Sequence, residues 1–236
     1  MTVLLRRTKR ILETEGLLAL MRRGLASVTC RFFVYRVYYL SEFELENARR
    51  WREEDFLPQL EGLVFRIVTT NLEADELERE GLEFRSYPYD IDARKALDKG
   101  AMALCIFVGS ELGTIGWVAL TPQAMEGLKE PPLKVDFSRD ALAAPVWTNP
   151  KYRRMGLRRY RTFKLRKFLL ERGVAVTRGP IAKGNLVSVR ALSKIDSRIY
   201  GEGRYLKLLW WTSWKEKPLD SGYMSASALW GSGGRQ

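Results

Sequence analysis

The sharpest local chemistry in the chain lies in the run Pro150-Lys151-Tyr152-Arg153-Arg154-Met155-Gly156-Leu157-Arg158-Arg159. It falls between a β-rich segment, Leu142–Thr148, and a long basic helical segment, Gly156–Arg172, that stops at Gly173. A helix start leaves backbone N–H groups unpaired and carries the positive end of the helix dipole. The two together make an anion site suited to phosphate. Gly156 lets the backbone come close to a bulky ligand because no Cβ intervenes, and the neighbouring arginines add charge-assisted hydrogen bonds. A basic helix start can equally be a solvated surface with Gly156 as a plain turn residue, so this run points to a phosphate-bearing ligand only together with its context.

Other residue types narrow the chemistry. The 236 residues contain no histidine and two cysteines, Cys30 and Cys105. That excludes a Ser–His triad, a His-ligated zinc and a four-cysteine zinc site, so no metal site is expected. A disulfide framework is not expected either, and the chain is read as cytoplasmic. Proton transfer falls to Asp, Glu, Tyr, Lys, Cys or water. Cys105, in a run of Ala, Leu, Ile and Phe, reads as a buried small hydrophobe. Lys and Arg total 40 against 28 Asp and Glu, a formal charge of +12. Nucleic acid, an anionic membrane surface and a phosphate-rich small molecule all suit that surplus. The basic helix carries Arg158, Arg159, Arg161, Lys164, Arg166 and Lys167, but Trp and Tyr concentrate in the last strand at core-like spacing rather than beside that helix as a stacking platform, which argues against nucleic acid. Trp210, Trp211 and Trp214 read as core and sheet-face residues.

These residues need elements to position them, and the chain supplies alternating strand and helix signals. Apolar residues make up 46%, enough for a sizeable core. Residues 1–55 read as a basic amphipathic helical extension, two helices or one kinked helix, with Leu4, Ile11, Leu18, Leu25 and Phe32 on one face. No apolar run reaches 18 residues and no secretory cleavage pattern follows the basic start, so neither a membrane span nor a signal is expected. The apolar stripe of residues 1–40 suits packing on the domain or on a partner subunit, as in a homodimer, and its basic face also suits an anionic membrane surface. Residues 56–217 read as one α/β domain. Its strands are expected at Leu63–Thr69, Ala101–Val108, Thr114–Leu120, Leu142–Thr148 and Val174–Ile181, with a closing hairpin over Arg198–Trp214 whose second strand is Tyr205–Trp214. Helices are expected at Leu72–Glu80 behind an Asn71 cap, at Ile91–Lys99, Gly156–Arg172 and Asn185–Ile195. Residues 218–236 read as a flexible tail.

The stretch Val146–Leu157 resembles the acyl-CoA pyrophosphate loop of the GNAT superfamily of acyl-CoA-dependent N-acyltransferases, whose motif is Arg/Gln-x-x-Gly-x-Gly/Ala after a hydrophobic strand. Downstream, Asn185-Leu186-Val187-Ser188 and Lys194 resemble that family's Asn-x-x-Ala/Ser helix. The resemblance covers residues 63–214. It implies a mixed, mostly antiparallel sheet with splayed central strands flanked by helices. It implies acetyl-CoA or another acyl-CoA as cosubstrate and an amine acceptor that attacks the thioester directly. Val146, Trp147 and Thr148 would run beside pantetheine. The backbone of Arg153, Arg154, Met155, Gly156, Leu157 and Arg158 would hold the pyrophosphate, with Asn185 and Ser188 against the cofactor. Two departures stand out: Arg158 replaces the last small residue of the loop, and Leu192, with Ser193 beside it, stands where the family places an acid tyrosine. Ser193, Tyr200, Tyr205 or water are then candidate acids, and Asp140, Asp136, Glu111 and Glu202 candidate bases; a weak or non-acetyl catalyst is the other reading. A CoA-binding module without catalysis and a membrane-associated long-chain N-acyltransferase are the alternatives. Acceptor-pocket loops are expected at Asn71–Asp98 and Thr121–Asp140.

Overall fold

The computed structural model describes residues 33–225, without 86, 88–90, 196 and 221. Among the described residues nine strands form one sheet: β1 (Phe33–Glu44), β2 (Leu63–Val68), β3 (Met102–Val108), β4 (Glu111–Ala119), β5 (Asp140–Thr148), β6 (Val176–Ala182), β7 (Arg198–Leu208), β8 (Trp211–Pro218) and β9 (Met224–Ser225). Their order is β2-β3-β4-β5-β6-β1-β7-β8, with β9 on β7. Among the described residues every pairing is antiparallel except β5 with β6. Parallel neighbours need a crossover, here the helix α4 introduced below. The fold is thus α+β with a large, mostly antiparallel sheet.

The α-helices of the described residues cover the two faces: α1 (Asn71–Arg79), α2 (Ala93–Asp98), α3 (Pro122–Gly127), α4 (Leu157–Glu171) and α5 (Leu186–Ser193). On one face Cys105, Phe107, Ile115, Trp117 and Leu142 join Ala74, Leu77, Ala96, Leu97 and Ala124 of α1–α3 in a single apolar cluster. On the other, α4 lays Leu165 and Leu169 on Leu104, Val118 and Ala141, while Leu157, Tyr160 and Phe163 meet Phe56 and Ile106. Strand alternation divides these residues: consecutive positions of β3 and β4 point to opposite faces, and both faces are covered, so both read apolar.

Several sequence expectations change. The helical reading of residues 1–55 does not hold over Phe33–Glu44, which is a central strand; β1 pairs β6 from Tyr38↔Ala182 to Glu44↔Val176 and β7 from Phe33↔Leu208 to Glu42↔Arg198. The run Val34-Tyr35-Arg36-Val37-Tyr38-Tyr39 is rich in β-branched and aromatic residues, and that preference prevails over the seven-residue spacing. Residues 1–32 lie outside the described residues. The boundary at residue 55 therefore cuts through the sheet's own unit. The helix α1 is capped by Thr70, whose own backbone N–H donates in return to the Glu73 carboxylate, rather than by Asn71. The closing hairpin turns at Leu209–Trp210, later than expected, so Tyr205–Leu208 belongs to its first strand. Trp210 at that turn is 88% exposed and Trp211 53%, so neither is a core residue, whereas Trp214 packs against Tyr38. Residues 218–225 are not all tail: Met224–Ser225 pairs with β7.

Candidate active site

The parallel pair β5–β6 is short. It is registered at Asp140↔Val176, Ala141↔Thr177 and Leu142↔Arg178 and then ends. Beyond it, β5 follows β4 through Gly116↔Val146, Ile115↔Trp147 and Thr114↔Thr148, with an irregularity between Gly116 and Val118. The strand β6 follows β1 through Gly179↔Ser41, Pro180↔Leu40 and Ile181↔Tyr39. The two strands part, leaving a wedge whose β5 edge, around Val146–Thr148, has no strand partner among the described residues. An unpaired edge presents backbone donors and acceptors to an extended, amide-bearing guest.

At the open end of this wedge β5 runs into a single 3-10 turn, Pro150–Tyr152, then Arg153–Gly156, then α4. Arg154 (φ 68°) and Gly156 (φ 84°) both adopt the left-handed region, which a non-glycine residue enters at a cost. The four other α-helices are each capped by a side chain: Thr70, Asp92, Thr121 and Asn185 accept from a backbone N–H of the first turn. Helix α4 has Gly156 at that position and no side-chain cap. Its first-turn N–H groups stay available, and Arg153, Arg154, Met155 and Gly156 around them are exposed. Four arginines (Arg153, Arg154, Arg158 and Arg159) sit at the positive end of the helix, where cations are disfavoured. An anion at this end would relieve both deficits.

The turn is held from β4. The Glu111 carboxylate accepts from Lys151 Nζ at 2.6 Å, from the Tyr152 hydroxyl at 2.6 Å and from Asn149 Nδ2 at 3.1 Å. Those bonds, Lys151 first, push its pKa down to about 2. Glu111 is thus a fastening for the turn and not a base.

The structure brings most of the sequence-derived ligand residues to one place. Val146 and Thr148 fall on the α4 face of β5, whereas Trp147 points to the other face and stacks on Tyr87, ring centroids 3.8 Å apart. Its backbone, not its indole, borders the wedge. Asn185 spends its side-chain oxygen on Ser188 N as the cap of α5. Arg158 reaches from α4 to α5, with both Nη atoms 3.5 Å from Ser188 Oγ, so the two motifs meet across the wedge.

On the α1–α3 side of the sheet, beside the last paired residues, lies a cavity of about 820 Å³. The segment Pro122–Phe137, inside the loop Thr121–Asp140, forms much of its wall, and Asp140, Arg178 and Tyr200 line it from the sheet. Asp140 is 3% exposed and is held by Arg178 Nε at 2.8 Å and Arg139 Nε at 3.2 Å. Arg178 also binds Glu42 at 3.0 Å and lies 4.9 Å from the centre of the Tyr200 ring. Burial pushes the Tyr200 phenol above its ordinary 10.0 although Arg178 works against it. Of the three candidate catalytic residues, Asp140 and Tyr200 share this cavity. Ser193 does not: it ends α5 and gives its hydroxyl to the Arg190 carbonyl at 2.9 Å. Glu202 is tied to Lys183 at 2.6 Å. Arg178 and Glu42 escaped the sequence reading because their roles depend on β1 and β6 being neighbours.

No family model matches the chain, and no curated protein matches it. Solved structures do. A Drosophila protein from a structural genomics programme is 14% identical with a TM-score of 0.47, over 80% of this chain and 56% of that one. The chain thus spans little more than half the length of that protein. A GCN5-related N-acetyltransferase-like protein from Streptococcus suis is 14% identical with a TM-score of 0.49, over 79% and 67%. A tandem GNAT protein of the clavulanic acid biosynthesis pathway is 13% identical with a TM-score of 0.42, over 84% and 59%. The solved structures to which this chain is similar therefore include GCN5-related N-acetyltransferases, at low sequence identity.

Proposed function

We propose that the chain is an N-acyltransferase that moves an acyl group, acetyl in the simplest case, from coenzyme A to an amine. The observation that carries this reading is the wedge between β5 and β6, closed at Leu142/Arg178 and facing, at its open end, the one uncapped α-helix start among the described residues. A thioester on a long amide-bearing arm that ends in a diphosphate suits both ends of that shape. The free edge of Val146–Thr148 would pair with the arm's amides, and the N–H groups of the Gly156 turn and first turn of α4 would take the diphosphate.

In this reading the thioester lies near the closed end, and the amine enters from the Asp140–Arg178–Tyr200 cavity on the opposite face. Donor and acceptor then meet where β5 and β6 part, beyond Leu142/Arg178, and catalysis is chiefly the holding of the two in attack geometry. Asp140 is committed to two guanidinium groups, so its role is to fix Arg178. Tyr200, kept protonated by its burial, is the group suited to return a proton to the departing thiolate. The amine loses its own proton to water in the cavity.

The test is direct. A ligand that binds only the folded state raises the melting temperature, so acetyl-CoA should stabilise the chain, and free thiol should appear when an amine panel is added. Stabilisation without thiol release would leave a CoA-binding module. If neither effect appears, the reading is overturned.

A further inference from the structure

Helix α4 carries two arginines one turn apart, Arg158 and Arg161, on the side turned toward the sheet and α5. Arg161 is 3% exposed, and its Nε and Nη1 are sealed from solvent without a hydrogen-bond partner. Its guanidinium lies against the bare backbone of Gly116 on β4; a Cβ there would collide with Nη1. Gly116 is the partner of Val146, so the group sits where β5 borders the wedge. Arg158, partly buried beside it, offers only long bonds to Ser188. Neither arginine has an acidic partner among the described residues.

An arginine buried without a partner is costly, because a guanidinium taken out of water needs an anion or a full set of acceptors. Two such groups next to an uncapped helix start concentrate positive charge in one enclosed place. We propose that Arg158 and Arg161 form a buried oxyanion subsite in the cleft between α4 and α5, which takes the carboxylate or phosphate of a ligand lying in the wedge. Burial, with Arg158 adding to it, already pushes the Arg161 pKa down to about 9, the response of a cation lacking its counter-ion. The subsite centres on Arg161, five residues past Gly156, with Arg158 linking it to the first turn of α4, and it does not depend on the ligand being a CoA ester. Two sources could supply the oxyanion: a carboxylate on the transferred group, or a phosphate of the donor.

The test measures melting temperature for the full chain and for Arg161→Met, with inorganic pyrophosphate or succinate against sodium chloride of equal ionic strength. The unmodified chain should be stabilised by at least one of the two anions. Arg161→Met should melt higher than the unmodified chain without ligand, since an unpaired buried charge is gone, and should bind that anion about tenfold more weakly or worse. Succinate acting alone assigns a carboxylate, pyrophosphate acting alone a phosphate, and both acting a general oxyanion pocket. Gly116→Ala keeps the charge but displaces the guanidinium, and it should also lose the anion's effect; it serves as the test if Arg161→Met does not fold. Full stabilisation by pyrophosphate in both variants would place the anion at the Gly156 turn alone and overturn the subsite while sparing the transferase reading. The absence of any anion effect in the unmodified chain would overturn the subsite as well.

Discussion

The Tyr152 hydroxyl donates to the Glu111 carboxylate across 2.6 Å, joining the turn after β5 to the start of β4, and Lys151 binds the same carboxylate. This fastening sets where the Gly156 turn sits. It also has a pH signature. The carboxyl titrates at about 2 in the fold against an ordinary 4.5, so it contributes stability above pH 4.5 that is lost as the pH falls through about 2. Glu111→Gln should therefore be less stable than the unmodified chain at neutral pH, with the gap closing between pH 4.5 and 2. A gap independent of pH in urea titrations would contradict the assignment.

Gly156 combines two demands, a left-handed backbone (φ 84°) and an exposed approach to the start of α4. The nearest atoms to an added Cβ belong to Pro58 at 3.8 Å, an ordinary contact. Gly156→Ala should cost only the conformational strain, about 1–2 kcal/mol, measured by denaturant unfolding. Gly156→Glu should abolish stabilisation by acetyl-CoA, because it sets bulk and negative charge where the diphosphate would lie. Undiminished stabilisation in that variant would move the ligand elsewhere.

Tyr200 predicts a kinetic separation. In the proposed role of proton donor to the thiolate, Tyr200 predicts that Tyr200→Phe lowers kcat about a hundredfold or more with little change in KM for acetyl-CoA. The unmodified chain should lose rate only where the phenol ionises, above its ordinary 10.0, and the variant should lack that alkaline fall. An unchanged kcat would return the role to water.

Much of this site was legible in the residues, and the reason is locality. The Gly156 turn, the basic helix after it and the Asn185 helix start are set by contiguous residues, and β3, β4, β5 and β6 fall within a few residues of where alternation and flanking glycines put them. What escaped is non-local. Arg178 becomes a site residue only because β1 brings Glu42 beside it and β5 brings Asp140. The side chain of Trp147 leaves the wedge because strand alternation sends it to Tyr87. Glu111 looked like a possible base, but its neighbours Lys151 and Tyr152, distant in sequence, turn it into an anchor. The largest miss, β1, came from an apolar spacing of seven that continued into a segment whose composition favours strand.

That strand supports the last prediction. β1 separates β6 from β7 and bonds to both, and its Leu40 is 1% exposed while Phe43 is 3%. Glu42 from the same strand holds Arg178. A chain truncated to begin at residue 56 would open two strand edges, remove these buried side chains and leave Arg178 one acid short. Burying a large apolar side chain contributes about 1.5–3 kcal/mol, so losing Leu40 and Phe43 alone removes a sizeable part of the 5–15 kcal/mol, roughly, that holds a domain folded. The truncated chain should show no cooperative thermal transition and no response to acetyl-CoA. If it unfolded cooperatively and still bound acetyl-CoA, residues 56–217 would be the independent domain that the sequence suggested, and β1 an accessory to it.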